Sequence, residues 1–255
     1  MSDAIRVPID VTNPGQFFAC CGLLEIAGRR WREAQGYFEN GWFVLNRCGS
    51  FSELLSTIIE AEPIPADQDD AETSPLMLGS LMLRIDWWQD EAAGGKSFKT
   101  WAGRQKIVDI VRAMHATFAP ASYTAESVLH SSAVLYDATE RTKTIEPLYF
   151  DARRAAQAQS IDVGFSPDTH GMMMPVYAAV EYLCLIGLQR FRPCRRDDGA
   201  FCYLAWTVPL PRLAASAAVA GALRMPIGSS YAFSLLYRTK YLKGFLPATM
   251  IGDAP

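Results

Sequence analysis

The pattern of hydrophobic and polar positions in the first part of the chain predicts two strands and two helices. Residues 6–11 and 42–46 are short apolar runs typical of strands. Between them, Asn13 and Pro14 are typical of a helix start, and the apolar positions that follow recur at helical spacing. The positions of this stripe, which we expect to face the core, are Phe17, Cys21, Leu24 and Trp31. Ser50 is the expected N-cap of a second helix ending near residue 61.

The middle of the chain is less regular. Residues 61–75 contain three prolines and most of an acidic cluster, which predicts an exposed loop. Residues 76–88 are strand-like. Residues 102–118 carry a clear helical stripe, and a weaker helix is predicted for 126–138.

Strands and helices are mixed in the last part of the chain without a repeating strand-helix-strand rhythm. The predicted elements are a strand at 146–154, an irregular loop at 160–175, a buried helix at 176–191, a strand at 201–208, a helix at 212–224 and a strand at 231–242. This order predicts an α+β fold with a mixed, largely antiparallel sheet and packed helices. We expect one domain over 1–255, with a subdivision near 61–75 or 119–145 as the alternative.

Composition places the chain among ordinary globular proteins. Of 255 residues, 50% are hydrophobic and 20% are charged, and we find neither a signal-peptide pattern nor an apolar run of membrane-spanning length. A cytoplasmic protein without a membrane partner is the expectation. The net charge of −3 is unevenly spread, because seven acidic residues and no Lys or Arg lie between residues 48 and 83. The basic excess elsewhere favours an anionic partner.

The candidate catalytic and cofactor motifs are weak. The six cysteines form no C-x-x-C pair, and most lie among apolar neighbours, so we interpret them as structural. Gly95-Lys96-Ser97 is similar to part of a P-loop, but Asp90 stands where that loop needs glycine. The histidines lack metal-ligand spacing. We therefore expect no metal, no cofactor and no catalytic residue.

Histidine is nevertheless a candidate general base, because metal-independent ribonucleases often use it. The chain has His115, His130 and His170, and His115 lies three residues after Arg112, a plausible phosphate partner. A surface histidine is the simpler interpretation of each.

Basic residues interleaved with aromatic ones give a stronger signal. Cations neutralise phosphates and aromatic faces stack on bases, a mixture that suits single-stranded or guide-bound nucleic acid. The alternative is a set of solvated faces, with Asp197 and Asp198 pairing with nearby arginines. The candidate nucleic-acid-binding residues are Lys96, Lys99, Trp101, Arg104, Lys106, Arg141, Lys143, Arg153, Arg154, Arg192, Arg195, Arg196, Arg238, Lys240 and Lys243.

Three blocks of the sequence resemble a known family. "TNPGQFFACCGLLEIA", "DWW" with "GGKSFKTWAGRQK", and "FDARRA" with "IDVGFSPD" are similar to signature segments of a small type I-U (I-G) CRISPR-associated family. It is the variant large-subunit type of the Cascade surveillance complex. The blocks cover roughly residues 10–31, 86–107 and 149–168.

The resemblance implies a non-catalytic subunit of a hetero-oligomeric, CRISPR-RNA-guided complex. Its partners would be CRISPR RNA, target DNA, the backbone and guide-end Cascade subunits, and the helicase-nuclease. A large-subunit-like protein would recognise the PAM duplex, bind and unwind target DNA, and recruit the nuclease. A CRISPR-transcript-processing endoribonuclease with a histidine base is the alternative, and a small-molecule enzyme is a remote third.

Two basic segments carry specific hypotheses. Lys99–Arg104 joins a glycine-containing turn to a predicted helix start, where cations and backbone amides converge on phosphate and Trp101 stacks or wedges. The second hypothesis is a rival to the first. It holds that an internal ion-pair cluster of Asp151, Arg153 and Arg154 supports the loop at 164–168.

Overall fold

The computed structural model describes residues 4–69, 74–88, 106–119, 122–137, 140, 142–155, 175–223, 227–238 and 241–251. The helices in this part of the chain are α1 Pro14–Arg30, α2 Phe51–Glu60, α3 Ile107–His115, α4 Ala152–Ala155, α5 Ala178–Leu188 and α6 Arg212–Val219, with a 3-10 turn at Gly79–Leu81. The strands are β1 Ile5–Pro8, β2 Gln35–Glu39, β3 Trp42–Asn46, β4 Pro63–Pro65, β5 Leu76–Leu78, β6 Leu83–Ile85, β7 Cys194–Arg195, β8 Phe201–Trp206, β9 Leu210–Pro211, β10 Gly228–Phe233, β11 Leu235–Arg238, β12 Tyr241–Phe245 and β13 Thr249–Ile251. The predicted α+β class is confirmed.

The strands form several small sheets in which all described neighbours are antiparallel. Two four-stranded sheets have the orders β1-β3-β2-β9 and β13-β10-β8-β7. A three-stranded sheet, β4-β5-β6, and the hairpin β11-β12 complete the set seen in the described residues. Antiparallel neighbours need only short connections, which agrees with a chain lacking strand-helix-strand rhythm.

Helices α1 and α5 pack against each other at unusually short backbone distance. A Cβ atom on Gly22 would lie 2.1 Å from the carbonyl oxygen of Leu183, and one on Gly187 would lie 2.0 Å from that of Phe18. Only glycine permits this approach. Because of it, α1 is buried on every side from Pro14 to Gly28, so the predicted single core-facing stripe was too narrow.

Aromatic side chains fix α1 against both four-stranded sheets. The Phe17 ring lies 4.2 Å from the Tyr203 ring and 5.0 Å from the Phe38 ring, measured between centroids. Trp206 packs edge-on against Phe38 and donates its indole N–H to the Gly36 carbonyl oxygen at 2.6 Å. Buried rings of this size contribute much of the apolar area removed from water.

The Asn-Pro-Gly turn before α1 is a structural joint. Asn13 Oδ1 accepts the backbone N–H of Gly15 at 3.1 Å, as an N-cap does, and also that of Ala152 at 3.1 Å. Asn13 Nδ2 donates to the buried Asp151 carboxylate at 2.8 Å. Both ends of the amide are therefore used to hold the start of α1 against the segment that contains α4.

Several sequence predictions of local structure were wrong. The 61–75 segment contains strand β4, whose two prolines are buried, rather than forming an exposed loop throughout. No helix forms in the described part of 126–138, where turns and isolated bridges occur instead. The predicted strand at 146–154 is irregular backbone followed by α4. The single closing strand predicted at 231–242 is divided among β10, β11 and β12.

One continuous hydrophobic cluster joins the described elements. It extends from Ile5 to Ala248 and includes side chains on both sides of 61–75 and of 119–145. The single-domain assignment remains a prediction. Among the described residues, no helix combines the length and the apolar character that crossing a membrane requires.

Candidate nucleic-acid interface

Many of the predicted binding residues, including the whole Lys99–Arg104 hypothesis, lie outside the described residues. These are Lys96, Lys99, Trp101, Arg104, Arg141 and Lys240, together with His170 and the 164–168 loop. For Arg238 and Lys243 the structure describes the backbone alone, in β11 and β12.

The Arg153 side chain is 31% exposed, but its guanidinium group is held by contacts within the protein. Its guanidinium donates to the Asp151 carboxylate at 2.6 Å and to the Leu129 carbonyl oxygen at 2.8 Å, and it stacks 3.4 Å from the Tyr177 ring centroid. Asp151 is fully buried, and Arg154 beside it is 6% exposed. This geometry agrees with the internal ion-pair hypothesis for Asp151 and Arg153.

The two described lysines of the predicted set lie on the surface. Lys106 is exposed and immediately precedes α3, and its backbone carbonyl accepts the N–H groups of Asp109 and Ile110. Lys143 is half-exposed and lies 3.4 Å from the Asp137 carboxylate. The Lys143 side chain is 52% exposed and accessible to solvent, whereas the Asp137 carboxylate is buried.

A second group of predicted arginines lies on an exposed hairpin. This basic hairpin (residues 192–202) consists of β7, a turn with Gly199 at φ 84°, and the start of β8. Arg196 pairs with Asp198 at 3.2 Å, and the carboxyl pKa of Asp198 is lowered by a hydrogen bond from the Ala200 backbone and by Arg196. Within the described residues, the side chains of Arg192 and Arg195 make no hydrogen bond or ion pair, although the backbone of Arg195 is paired in β7.

A third group of arginines surrounds a single buried carboxylate. Glu25 of α1 is fully buried, and its carboxylate contacts the guanidinium groups of three arginines. The distances are 2.7 Å to Arg29 Nε, 2.5 Å to Arg190 Nε and 3.1 Å to Arg212 Nη1. The arginine side chains remain 19–28% exposed. Three positive charges on one negative charge leave a local excess of two.

The sequence contained only part of the signal for this cluster. Glu25 and Arg29 have the four-residue spacing of a helical ion pair, which can be recognised from the sequence. Arg190 lies two residues before Arg192 of the predicted set, but its partner is 165 residues away. Arg212 is the first residue of α6, where a cation at a helix N-terminus is unfavourable unless a tertiary contact compensates.

A second buried carboxylate, Glu181 of α5, lies near the start of α1. It accepts the backbone N–H groups of Phe150 at 2.9 Å and of Asp151 at 3.0 Å. Burial raises the pKa of Glu181 to about 8, although the two backbone hydrogen bonds and the nearby Arg154 charge favour the anion. Near neutral pH this group is largely protonated, in contrast to a solvent-exposed glutamate.

Three of the described cysteines are deeply buried, and the two described histidines each lie next to a backbone carbonyl oxygen. Burial raises the pKa of the Cys20, Cys21 and Cys184 thiols well above their usual value, so thiolate is not formed at neutral pH. Cys194 is the exposed cysteine of the described set. His115 Nε2 is 2.9 Å from the Ile58 carbonyl oxygen and His130 Nε2 is 3.1 Å from that of Pro8.

No cluster of three or more metal-ligating side chains occurs in the part of the chain that the structure describes. A scan of the chain against family models finds no match, and searches of curated proteins and of solved structures likewise find none. The site is therefore characterised by its own geometry, in which exposed or over-compensated arginines are the main feature.

Proposed function

We propose that the protein is a non-catalytic, nucleic-acid-binding subunit of a type I CRISPR RNA-guided surveillance complex. In this role it acts like a large subunit: it contacts the PAM duplex, stabilises opened target DNA and recruits the helicase-nuclease. The complex forms in the cytoplasm with CRISPR RNA and the backbone and guide-end subunits. The assignment to a CRISPR complex comes from the three sequence blocks that resemble the family.

The observation that carries the nucleic-acid role is the pair Arg192 and Arg195. Both side chains are exposed, and neither has a carboxylate partner among the described residues, unlike Arg196 on the same hairpin. An unpaired surface guanidinium does not have to break an internal ion pair before binding a phosphate. The planar guanidinium group also presents paired N–H donors whose spacing matches the oxygen atoms of a phosphate.

The proposal that the subunit is not an enzyme is supported by the settings of the described candidates. Cys20 and Cys21 are deeply buried thiols with raised pKa values, and so are poor nucleophiles. His115 and His130 each have one ring nitrogen within hydrogen-bond distance of a backbone carbonyl oxygen, so that nitrogen is already engaged inside the protein.

The test compares two double variants in a complex reconstituted with guide RNA. Arg192→Ala/Arg195→Ala is expected to weaken target-DNA binding about tenfold, and to reduce the slope of log affinity against log salt by about 1.4 to 1.8, as two lost phosphate contacts require. The control is Arg6→Ala/Arg84→Ala, which removes the same charge from arginines already paired with Glu39 and Asp86.

Unchanged affinity and salt slope in the hairpin variant would remove the hairpin from the interface. The endoribonuclease alternative is tested separately by incubating the purified chain with CRISPR repeat RNA in EDTA. Cleavage that is abolished by His115→Ala or His170→Ala would overturn the non-catalytic assignment. Intact RNA supports it.

A further inference from the structure

The C-terminal end of α1 opens into a cavity of about 540 Å³ that none of the predicted binding residues lines. Its walls are the end of α1, one side of α2, the 3-10 turn and the start of α6. The charged residues that line it are Arg29, Arg30, Arg32, Arg212, Glu53 and Glu60. A cavity of this size falls within the range of ligand-binding pockets.

Two of these arginines are held in fixed positions. Arg29 donates through Nε to Glu25 and through Nη1 to the carbonyl oxygens of Leu81 and Met82, each at 2.9 Å. Arg212 donates through Nη1 to Glu25. The Arg29 Nη2 group, and the Nε and Nη2 groups of Arg212, make no hydrogen bond within the described residues. A ligand that meets these donors does not have to immobilise the side chains, which lowers the entropy cost of binding.

Glycine at position 28 is part of this arrangement. A Cβ atom there would lie 2.6 Å from Arg212 Cδ, so any other residue would displace the arginine stem. The close contact lets the stem of Arg212 cross α1 and reach Glu25.

The charge balance favours an anion. Four arginines line the cavity against two glutamates, and including the buried Glu25 with its third partner Arg190 leaves the excess at about two charges. The negative end of the α1 dipole offsets about half a charge. Glu53 is already used in the N-terminal cap of α2, where hydrogen bonds from Ser50 lower its pKa. The cavity therefore has a positive charge that no described residue neutralises.

The rim of the cavity contains a strained and exposed apolar residue. Met82 has a left-handed backbone, with φ 47° and ψ 41°, and its side chain is 81% exposed. Left-handed conformations of residues other than glycine cost free energy and occur often at functional sites. The carbonyl of this residue is one of the two that position Arg29, so the strain contributes to the placement of a cavity donor.

We propose that this cavity is a binding site for a phosphate group, with Arg29 and Arg212 as fixed donors and Arg30 and Arg32 as mobile ones. A tetrahedral anion accepts several charge-assisted hydrogen bonds at once, which the converging guanidinium groups provide. The phosphate belongs to a single-stranded nucleic acid, whose bases contact Met82 at the rim. The identification of the ligand as a nucleic-acid strand rests on the proposed function. The inference that a phosphate group binds here rests on the cavity alone.

The experiment measures binding of inorganic phosphate to the purified full-length chain by calorimetry at constant ionic strength. Saturable binding is expected, weakened about tenfold in Arg212→Gln and in Arg30→Ala/Arg32→Ala, and unchanged in the Arg6→Ala/Arg84→Ala control. Arg212→Gln alters the Glu25 cluster, so its unfolding is followed in parallel. The Arg30/Arg32 variant changes exposed side chains and tests the site even if Arg212→Gln does not fold. Absence of saturable binding, or equal binding by every variant, would overturn the phosphate site.

A second arm identifies the source of the phosphate. A single-stranded oligonucleotide of about twelve nucleotides, a length within the range of known single-strand sites, is titrated with and without inorganic phosphate. Competition that is lost in Arg30→Ala/Arg32→Ala supports the nucleic-acid strand. If phosphate binds but the oligonucleotide does not compete with it, the proposal of a nucleic-acid strand is overturned. The ligand would then be free phosphate or a small phosphorylated molecule. The hairpin variants do not alter this cavity, so failure of the proposed function is detected independently.

Discussion

The two ends of α1 are both anchored by buried carboxylates, but the surroundings of those carboxylates are opposite. At the N-terminal end, Asp151 is matched by Arg153 and Asn13, and Glu181 accepts two backbone amides. At the C-terminal end, Glu25 is surrounded by more positive charge than it can neutralise. The first arrangement satisfies its own groups. The second leaves donors that face a cavity.

This difference separates a structural role from a binding role. Buried polar groups that are fully paired stabilise one conformation and offer nothing to a ligand. A cluster with excess positive charge is destabilised by repulsion among its cations, and a bound anion relieves that repulsion. The segment "TNPGQFFACCGLLEIA" therefore contains a joint at its start and, at Glu25, the anchor of the proposed phosphate site near its end.

The largest expected effect comes from removing the anchor at the C-terminal end. Glu25→Gln leaves three partly buried arginines without their carboxylate, and is expected to lower the free energy of unfolding by about 3 to 5 kcal/mol. Urea denaturation measures the loss. Glu33→Gln, an exposed glutamate just beyond the same helix, is the matched control and should stay within about 0.5 kcal/mol of the parent. Equal stability of the two variants would contradict the anchoring role.

A smaller effect is expected at the N-terminal joint. Asp is as good an N-cap as Asn in general, so helix capping alone predicts no loss for Asn13→Asp. Here the Asn13 amide donates to Asp151, and a carboxylate would instead face a buried carboxylate. We expect Asn13→Asp to cost about 2 to 3 kcal/mol, and Asn13→Ala about 1 to 2 kcal/mol. An aspartate variant as stable as the parent would mean that capping is the only role of this residue.

The pH dependence of stability gives the smallest expected effect and concerns Glu181. Its pKa is raised to about 8 in the folded state from 4.5, so the folded protein binds one more proton than the unfolded chain between these values. The contribution of Glu181 is therefore complete below about pH 4.5, is lost as the pH rises through 8, and is constant above that. The slope is at most about 1.4 kcal/mol per pH unit.

Denaturation of the parent and of Glu181→Gln at pH 6 and pH 7.5 measures this contribution. The variant loses a hydrogen-bond acceptor and is less stable at both values, but its stability should fall less over this interval. Parallel pH profiles would show that Glu181 does not titrate there.

Local prediction from the sequence succeeded where short-range chemistry dominates. Asn13 and Ser50 mark helix starts by accepting hydrogen bonds from residues two or three positions away, and Pro14 does so through its fixed φ and missing N–H. Both helices begin as predicted. Prediction failed for the 61–75 segment, because the prolines that indicated a loop are buried against β5. It also failed for 126–138, where helical spacing was outweighed by turns, by a local bridge to Thr144 and by a long-range bridge to Val176.

The candidate binding residues likewise divide into those that the sequence identified and those that it did not. The exposed arginines of the basic hairpin were recognisable from their density along the chain. The Glu25 cluster was not, because its members come from α1, the turn after α5 and α6. Nothing in the local sequence distinguishes Arg190, which binds Glu25, from Arg192, which makes no described contact.

The sequence alone determined the α+β class, the helix starts, the structural character of the paired cysteines and the abundance of basic clusters. These depend on hydrogen bonds and periodicities that span a few residues. Only the tertiary structure decided which arginines are neutralised, which carboxylate is protonated and where the cavity lies. Each of these depends on burial and on charges brought within about 3 Å by residues far apart in the chain, which no local pattern encodes.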